Sequence, residues 1–231
     1  DVQNGRARHA QAQLDWIASV ALGLEKLCWD LALYSGEEFG YFRLPVAATT
    51  GSSIMSNKRN PDVVELGRAR CRELYGLAAS HRQIMSGLPS SYHRDFQLGK
   101  APLLRAIDLA GGLFDVLTRV IDGVELDPQR CDAGMSDELY AAHRASRLAA
   151  EGLPFRDAYR QVADELANGS FQAEREPGAS HLGGLGQLGL EQSATELLRS
   201  ADWLGARRQI LDALPASLFG SLALPPTNHQ G

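Results

Sequence analysis

The strongest constraint on the fold is a run of apolar residues that recur at three- and four-residue steps early in the chain. This spacing places side chains on one face of an α-helix and differs from the two-residue alternation of a half-buried strand. Two further stripes begin near Pro61 and Pro102, and breaks at Gly36 and at residues 87–89 separate the three. The stripes comprise Leu14, Ile17, Val20, Leu24, Leu27, Leu31 and Tyr34; Val64, Leu74, Leu77 and Ile84; and Leu103, Leu104, Ile107, Leu113, Phe114, Leu117, Val120 and Ile121. We therefore predict an all-α fold built on three long helices.

A proline-marked break predicts two domains. Residues 1–126 hold the three stripes and form a portion of a long-helix bundle that carries a polar loop at residues 51–61. Asp127 and Pro128 interrupt the helical pattern. The remaining residues, 127–231, predict a small helical C-terminal domain. Its shorter helices are expected near residues 137–151, 154–167, 192–200 and 206–214.

Composition excludes several classes of function. The net charge of −5 argues against nucleic-acid binding, which generally requires a basic face. No apolar run approaches the length of a membrane helix, and no signal peptide is visible. The three cysteines are widely spaced and odd in number, which favours neither a metal site nor a disulfide framework. We expect a cytoplasmic protein that binds neither nucleic acid nor membranes and uses no metal or other cofactor.

The loop at residues 51–66 concentrates the chemistry of the chain. It reads Gly-Ser-Ser-Ile-Met-Ser-Asn-Lys-Arg-Asn-Pro-Asp-Val-Val-Glu-Leu. Gly51 permits a mobile backbone, and Ser52 and Ser53 offer hydroxyls beside the Lys58 cation. Asn60 followed by a proline predicts a helix N-cap, and a helix N-terminus favours anions. The pattern indicates a base or nucleophile next to a site for a multiply charged anion.

A second polar block separates the second and third predicted helices. Residues 87–100 read Gly-Leu-Pro-Ser-Ser-Tyr-His-Arg-Asp-Phe-Gln-Leu-Gly-Lys. The loop at 51–66 resembles the signature loop of the fumarase/aspartase superfamily, and its Asp-Val-Val-Glu-Leu continuation resembles that of the argininosuccinate lyases. The second block is similar to the leucine-proline, tyrosine, arginine-aspartate, glutamine and lysine pattern of the same family. The resemblance covers roughly residues 10–165 and rests on two independent motifs in the same order.

The resemblance implies a lyase that splits argininosuccinate into arginine and fumarate by β-elimination. It assigns the role of base to Ser52, although spacing alone leaves Ser53 as an alternative or as a substrate-binding group. Lys58 and Asn60 are expected to hold a substrate carboxylate as negative charge grows on it. Glu65 is expected to orient a histidine that another part of the family fold supplies. The plainer interpretations are a polar turn, a solvated lysine, an N-cap and a glutamate that complements the helix dipole.

The second block is expected to bind the remainder of the substrate through Tyr92, Gln97 and Lys100. Its plainer interpretation is a polar connection between helices. His81 and His93 lack partners at metal-ligand spacing, so we expect each to face solvent or to be hydrogen-bonded.

The resemblance also predicts the assembly. Family members form homotetramers whose active sites are shared between subunits, and this sequence matches only the C-terminal half of their fold. We therefore expect the chain to need the N-terminal half to complete a site. Ser56 and Asn57 replace a proline and a glutamine that are usual in the signature loop. Two alternatives stay open: another succinyl-amine lyase of the superfamily, and a non-catalytic, crystallin-like homologue.

Overall fold

The structure is a computed structural model that describes residues 2–51, 54–55, 58–173, 175, 182–184 and 186–219. Its backbone contacts divide the chain into two compact units between Ser136 and Asp137. The secondary structure is dominated by helices, with only two-residue strands beside them, which confirms the predicted all-α class.

Three long helices form the first unit: α1 at Val2–Tyr34, α2 at Asp62–Ile84 and α3 at Lys100–Asp122. Gln11 contacts Ala78 and Glu25 contacts Arg72, so α1 and α2 run antiparallel. α3 is antiparallel to α2 in turn, because Arg105 near its start bonds Glu73. At 1.5 Å of rise per residue, α1 is about 50 Å long and α2 and α3 are about 35 Å each.

The core lies on the faces that the three helices turn toward one another. Its α1 contribution is centred on Ala21 and Cys28, whereas Val20, Leu24 and Leu27 of the predicted stripe are only partly buried. Small residues occupy the centre because the helices approach closely there. The buried hydrophobic side chains are Leu14, Ile17, Ala21, Cys28 and Leu31 of α1; Val64, Cys71, Leu74 and Ala78 of α2; and Ala106, Ala110, Leu113, Leu117 and Val120 of α3.

A second apolar face remains exposed on the bundle. Large side chains along α1 and α3 lie outside the core and remain exposed to solvent. They include Trp16, Leu22, Trp29 and Leu33 on α1, and Leu104, Ile107, Phe114, Val116 and Ile121 on α3. An apolar surface of this extent is typical of a surface that binds another protein segment.

Two short antiparallel strand pairs close one end of the bundle. β1 at Phe42–Arg43 pairs with β4 at Glu125–Leu126, and β2 at Thr50–Gly51 pairs with β3 at Arg59–Asn60. The predicted N-cap at Asn60 is wrong: Asn60 lies opposite Thr50 in the ladder, and Pro61 occupies the cap position of α2. The extended pairing with Thr50 holds Asn60 outside the helix.

The short helix α4, Pro128–Ala133, also belongs to the first unit. The Asp127 N–H donates to the carbonyl of Tyr41 at 3.0 Å, and the Asp127 carboxylate caps α4 by accepting from the Arg130 N–H at 3.1 Å. The break seen in the sequence at Asp127 is therefore a helix start packed against the bundle. The division between the units falls after it, at Ser136.

The second unit contains α5 at Ala141–Ala150, α6 at Phe155–Ala167 and α7 at Leu190–Phe219. α5 and α6 pack together and bury Ala145, Ala158 and Val162. The two helices predicted for residues 192–214 are one continuous helix, α7, which passes through Gly205 without a break. No helix among the described residues combines the length and apolarity needed to span a membrane.

Candidate functional site

The signature loop rises from the β2–β3 pair at the N-terminal end of α2. Thr50 and Gly51 lie opposite Asn60 and Arg59, so the two ends of the loop are held together. The Thr50 hydroxyl donates to the carboxylate of Asp62, the first residue of α2. This contact ties the stem of the loop to the helix that follows it. Ser52, Ser53, Ser56 and Asn57 lie outside the described residues.

The residues predicted to bind a carboxylate, Lys58 and Asn60, lie on the side of the stem that leads into α2. Lys58 is exposed, and its N–H donates to the Met55 carbonyl at 3.1 Å. Asn60 is half-buried in β3. The helix N-terminus beside them already carries the carboxylates of Asp62 and Glu65 in its first turn. A bound anion would therefore depend on Lys58 and Asn60 more than on the helix dipole.

Glu65 is exposed on the first turn of α2. Its Oε1 accepts from the Arg68 Nη2 at 3.3 Å. The Arg68 guanidinium lies over the Trp29 ring of α1, with its central carbon 3.9 Å from the ring centroid. No described residue contacts the second oxygen of Glu65 in a hydrogen bond, so it is available to a donor from elsewhere.

The second block lies at the opposite end of α2. Gln97 Nε2 donates to the Tyr92 hydroxyl at 2.7 Å, and Lys100 is the exposed first residue of α3. The structure therefore joins two of the three predicted substrate-binding residues directly. A cleft of about 300 Å³ opens beside them. It is lined by Arg6, Ala7, His9, Ala10, Gln13, His81, Met85, Phe96, Gly99, Lys100 and Leu103.

The start of α1 holds the second block in place. The Ser91 N–H donates to the Asn4 side-chain oxygen at 2.7 Å. Ser91 has a φ of 85°, a left-handed conformation that costs a non-glycine residue of order 1 kcal/mol. The hydrogen bond that Ser91 donates to Asn4 helps to offset that cost. Sequence reasoning did not find Asn4, because its partner is far away in the chain.

His81 is a buried, hydrogen-bonded residue at this same end, only 2% exposed. Its Nδ1 lies 2.8 Å from the side-chain oxygen Oε1 of Gln11. The side-chain nitrogen Nε2 of Gln11 donates to the Ala78 carbonyl and to the Asp15 carboxylate. His81 Nδ1 must therefore donate. Burial lowers the pKa of His81, which favours the neutral imidazole.

The other titratable groups give no indication of a metal site. His93 lies 3.4 Å from the Ser90 carbonyl, and no cluster of metal-ligating side chains occurs among the described residues. Burial raises the pKa of both Cys28 and Cys71 to about 11, so both are protonated thiols at neutral pH. They behave as small apolar core residues rather than as nucleophiles.

The length of α2 keeps the two predicted groups of site residues apart. Lys58, Asn60 and Glu65 lie at its N-terminal end, and Tyr92 and Gln97 follow its C-terminal end. Its 23 residues correspond to about 35 Å, far more than one small substrate can bridge. The two groups of predicted site residues are therefore held apart on one chain.

Comparisons with known proteins identify sequence relatives of this chain. A family model described as lyase matches residues 6–76. An argininosuccinate lyase of Sorangium cellulosum is 45% identical over 179 residues, which is 76% of this chain and 41% of that protein. An argininosuccinate lyase of Phocaeicola vulgatus is 32% identical over 94% of this chain and 48% of its own length. The chain thus spans less than half the length of these curated relatives.

Solved structures share the fold. A structure described as fumarate lyase:delta crystallin from Brucella melitensis, bound to cobalt, has a TM-score of 0.56 and 25% identity, covering 69% of this chain and 35% of its own. A 3-carboxy-cis,cis-muconate lactonizing enzyme from Pseudomonas putida has a TM-score of 0.59 at 21% identity, covering 83% and 43%. Together with the sequence relatives, they show that the chain belongs to the fumarase/aspartase superfamily of lyases.

Proposed function

We propose that the protein to which this chain belongs cleaves argininosuccinate into arginine and fumarate. The observation that carries the proposal is the loop stem, which pairs Thr50 and Gly51, just before Ser52 in the sequence, with the strand that follows Lys58 and contains Asn60. The similarity to argininosuccinate lyases supports this choice of substrate.

In the proposed reaction, Ser52 takes a proton from the carbon next to a carboxylate of the succinyl group. Negative charge then builds on that carboxylate, where Lys58 and Asn60 stabilise it. The electron pair forms the double bond of fumarate as the carbon–nitrogen bond breaks, and the nitrogen leaves with a proton from a general acid as part of arginine. A serine hydroxyl is a weak base, so the loop must exclude water and supply hydrogen-bond donors to ionise it.

Within this proposal, the active site is shared between subunits. The two groups of proposed site residues lie about 35 Å apart at the ends of α2, which supports a site formed by the Tyr92 end of one copy and the Lys58 end of another. The exposed apolar faces of α1 and α3 and a groove of about 440 Å³ between α2 and α3 offer surfaces for such contacts. We propose a homotetramer, completed by the segments of the family fold that this chain does not contain.

The proposal is tested by fumarate release from argininosuccinate, measured by ultraviolet absorbance with the complete gene product. Ser52→Ala should lower kcat by roughly 10³-fold or more, as removal of an essential base does. Ser56→Ala, in the same loop, serves as the matched control. Normal turnover by the Ser52 variant would contradict its assignment. Turnover of a different succinyl-amine, with none of argininosuccinate, would assign the protein another substrate within the superfamily.

A further inference from the structure

The first turns of α2 hold a contact that neither the motif nor the comparisons assign. Arg68 lies one turn after Glu65, and its Nη2 is 3.3 Å from the Glu65 Oε1. Its guanidinium lies over the Trp29 ring of α1, and Trp29 remains 46% exposed. The Arg68 side chain is only 20% exposed, so the guanidinium is more confined than that of a typical surface arginine.

The neighbouring charges explain why Arg68 turns toward Glu65. Glu25 is the other carboxylate near Arg68 on the α1–α2 interface. It already accepts from Arg72 Nε at 2.8 Å and from the Tyr75 hydroxyl at 2.9 Å. Those two hydrogen bonds are the main reason that the pKa of Glu25 is lowered. Arg68 is thus left to pair with Glu65.

We propose that Arg68, held over the Trp29 ring, is a positioning residue that sets the direction of the Glu65 carboxylate. An ion pair between exposed side chains three residues apart is worth little on its own, because both chains are free to rotate. Stacking on an aromatic ring removes much of that freedom, and the planar guanidinium suits it better than an ammonium would. The inference rests on the proposed function, in which Glu65 orients a histidine from another part of the assembly. Arg68 engages one oxygen of Glu65 and leaves the other without a hydrogen bond from a described residue, available to that histidine.

The test compares Arg68→Met with Arg72→Met in the complete gene product. Arg72 is the matched control because it also joins α2 to α1, yet it bonds Glu25 rather than Glu65. Arg68→Met should lower kcat for fumarate release about tenfold and leave KM within about twofold, since Glu65 does not bind the substrate itself. Arg72→Met should keep kcat within about twofold of the wild type. Equal kcat values for the two variants would overturn the inference.

A double-mutant cycle and two further variants sharpen the test. If Arg68 acts through Glu65, adding Arg68→Met to Glu65→Gln should lower kcat no further, whereas full additivity would overturn the inference. Trp29→Leu should lower kcat about threefold, because the charge of Arg68 stays but the aromatic ring that holds it is lost. Arg68→Lys should recover only part of the rate, and full recovery would show that charge alone suffices and overturn the stacking role. A wild-type protein without any lyase activity would overturn the proposed function, and this inference with it.

Discussion

The two ends of α2 are built differently, although each holds one group of predicted site residues. At the C-terminal end, long-range hydrogen bonds join α1 to α2 through Gln11 and His81, and join α1 to the second block through Asn4 and Ser91. At the N-terminal end, a two-residue strand pair and the Thr50–Asp62 contact hold a loop whose described side chains are exposed. The C-terminal end is thus held in place by contacts within the chain itself. In the proposed function, the other end presents groups that other segments must join to complete the site.

We expect the largest effect on stability from a substitution at Gly67, where α1 and α2 approach closely near the N-terminal end of α2. A Cβ added at Gly67 would lie 2.8 Å from the Cys28 Sγ, so Gly67→Ala should push α1 away from α2 and cost about 1–3 kcal/mol of unfolding free energy. Gly76→Ala, in the same helix, meets nothing within 4 Å and should stabilise by about 0.5–1 kcal/mol. Denaturant unfolding measures both. Equal effects would contradict the close approach.

The stem of the signature loop is tested by Thr50→Val, which keeps the shape of the side chain but removes the hydrogen bond to Asp62. We expect kcat for fumarate release to fall about tenfold, because a stem that is free to splay misplaces the loop. Thr49→Val is the control, since the Thr49 hydroxyl bonds only the nearby Val46 carbonyl at 3.0 Å. Identical kcat values in the two variants would show that the Thr50 contact does not position the loop.

The C-terminal end of α2 is tested by Tyr92→Phe, which removes the hydroxyl that accepts from Gln97. Since this block is proposed to bind substrate rather than to take part in proton transfer, KM should rise about fivefold with kcat changed by less than about twofold. Tyr159→Phe, on the exposed face of α6, is the control. A fall in kcat with unchanged KM would place Tyr92 in the chemical step instead.

The smallest expected effect is the contribution of His81 to the pH dependence of the unfolding free energy. Burial lowers the pKa of His81 in the folded protein, so the unfolded chain binds a proton more readily. The unfolding free energy should therefore decline as the pH falls below the ordinary histidine pKa near 6.5 and stop declining below the lowered folded value. His81→Leu should flatten this decline, measured as the change in denaturant midpoint between about pH 7.5 and about pH 5.5. An unchanged pH dependence in that variant would contradict the buried neutral imidazole.

Local patterns were enough to predict the class of fold. The three- and four-residue spacing identified three long helices, because burial of one helical face requires that period. The ends of the helices were less predictable. Residues 2–13 of α1 are mostly polar or small, and tertiary partners such as Ala78 and Ser91 hold them at the bundle. The Asn60 cap was mispredicted because strand pairing with Thr50 competes with capping, and spacing along the chain does not reveal such pairing.

The sequence by itself determined which chemical groups each block offers, since Lys58, Asn60 and Glu65 in one block and Tyr92, Gln97 and Lys100 in the other are read directly from it. Only the tertiary structure decided where those groups lie. The rigid 23-residue α2 separates the blocks, and antiparallel packing brings Trp29 beside Arg68 and Asn4 beside Ser91. The physical reason is that residue type sets what a side chain can donate, accept or protonate. Its distance from another side chain depends on how helices far apart in sequence pack together.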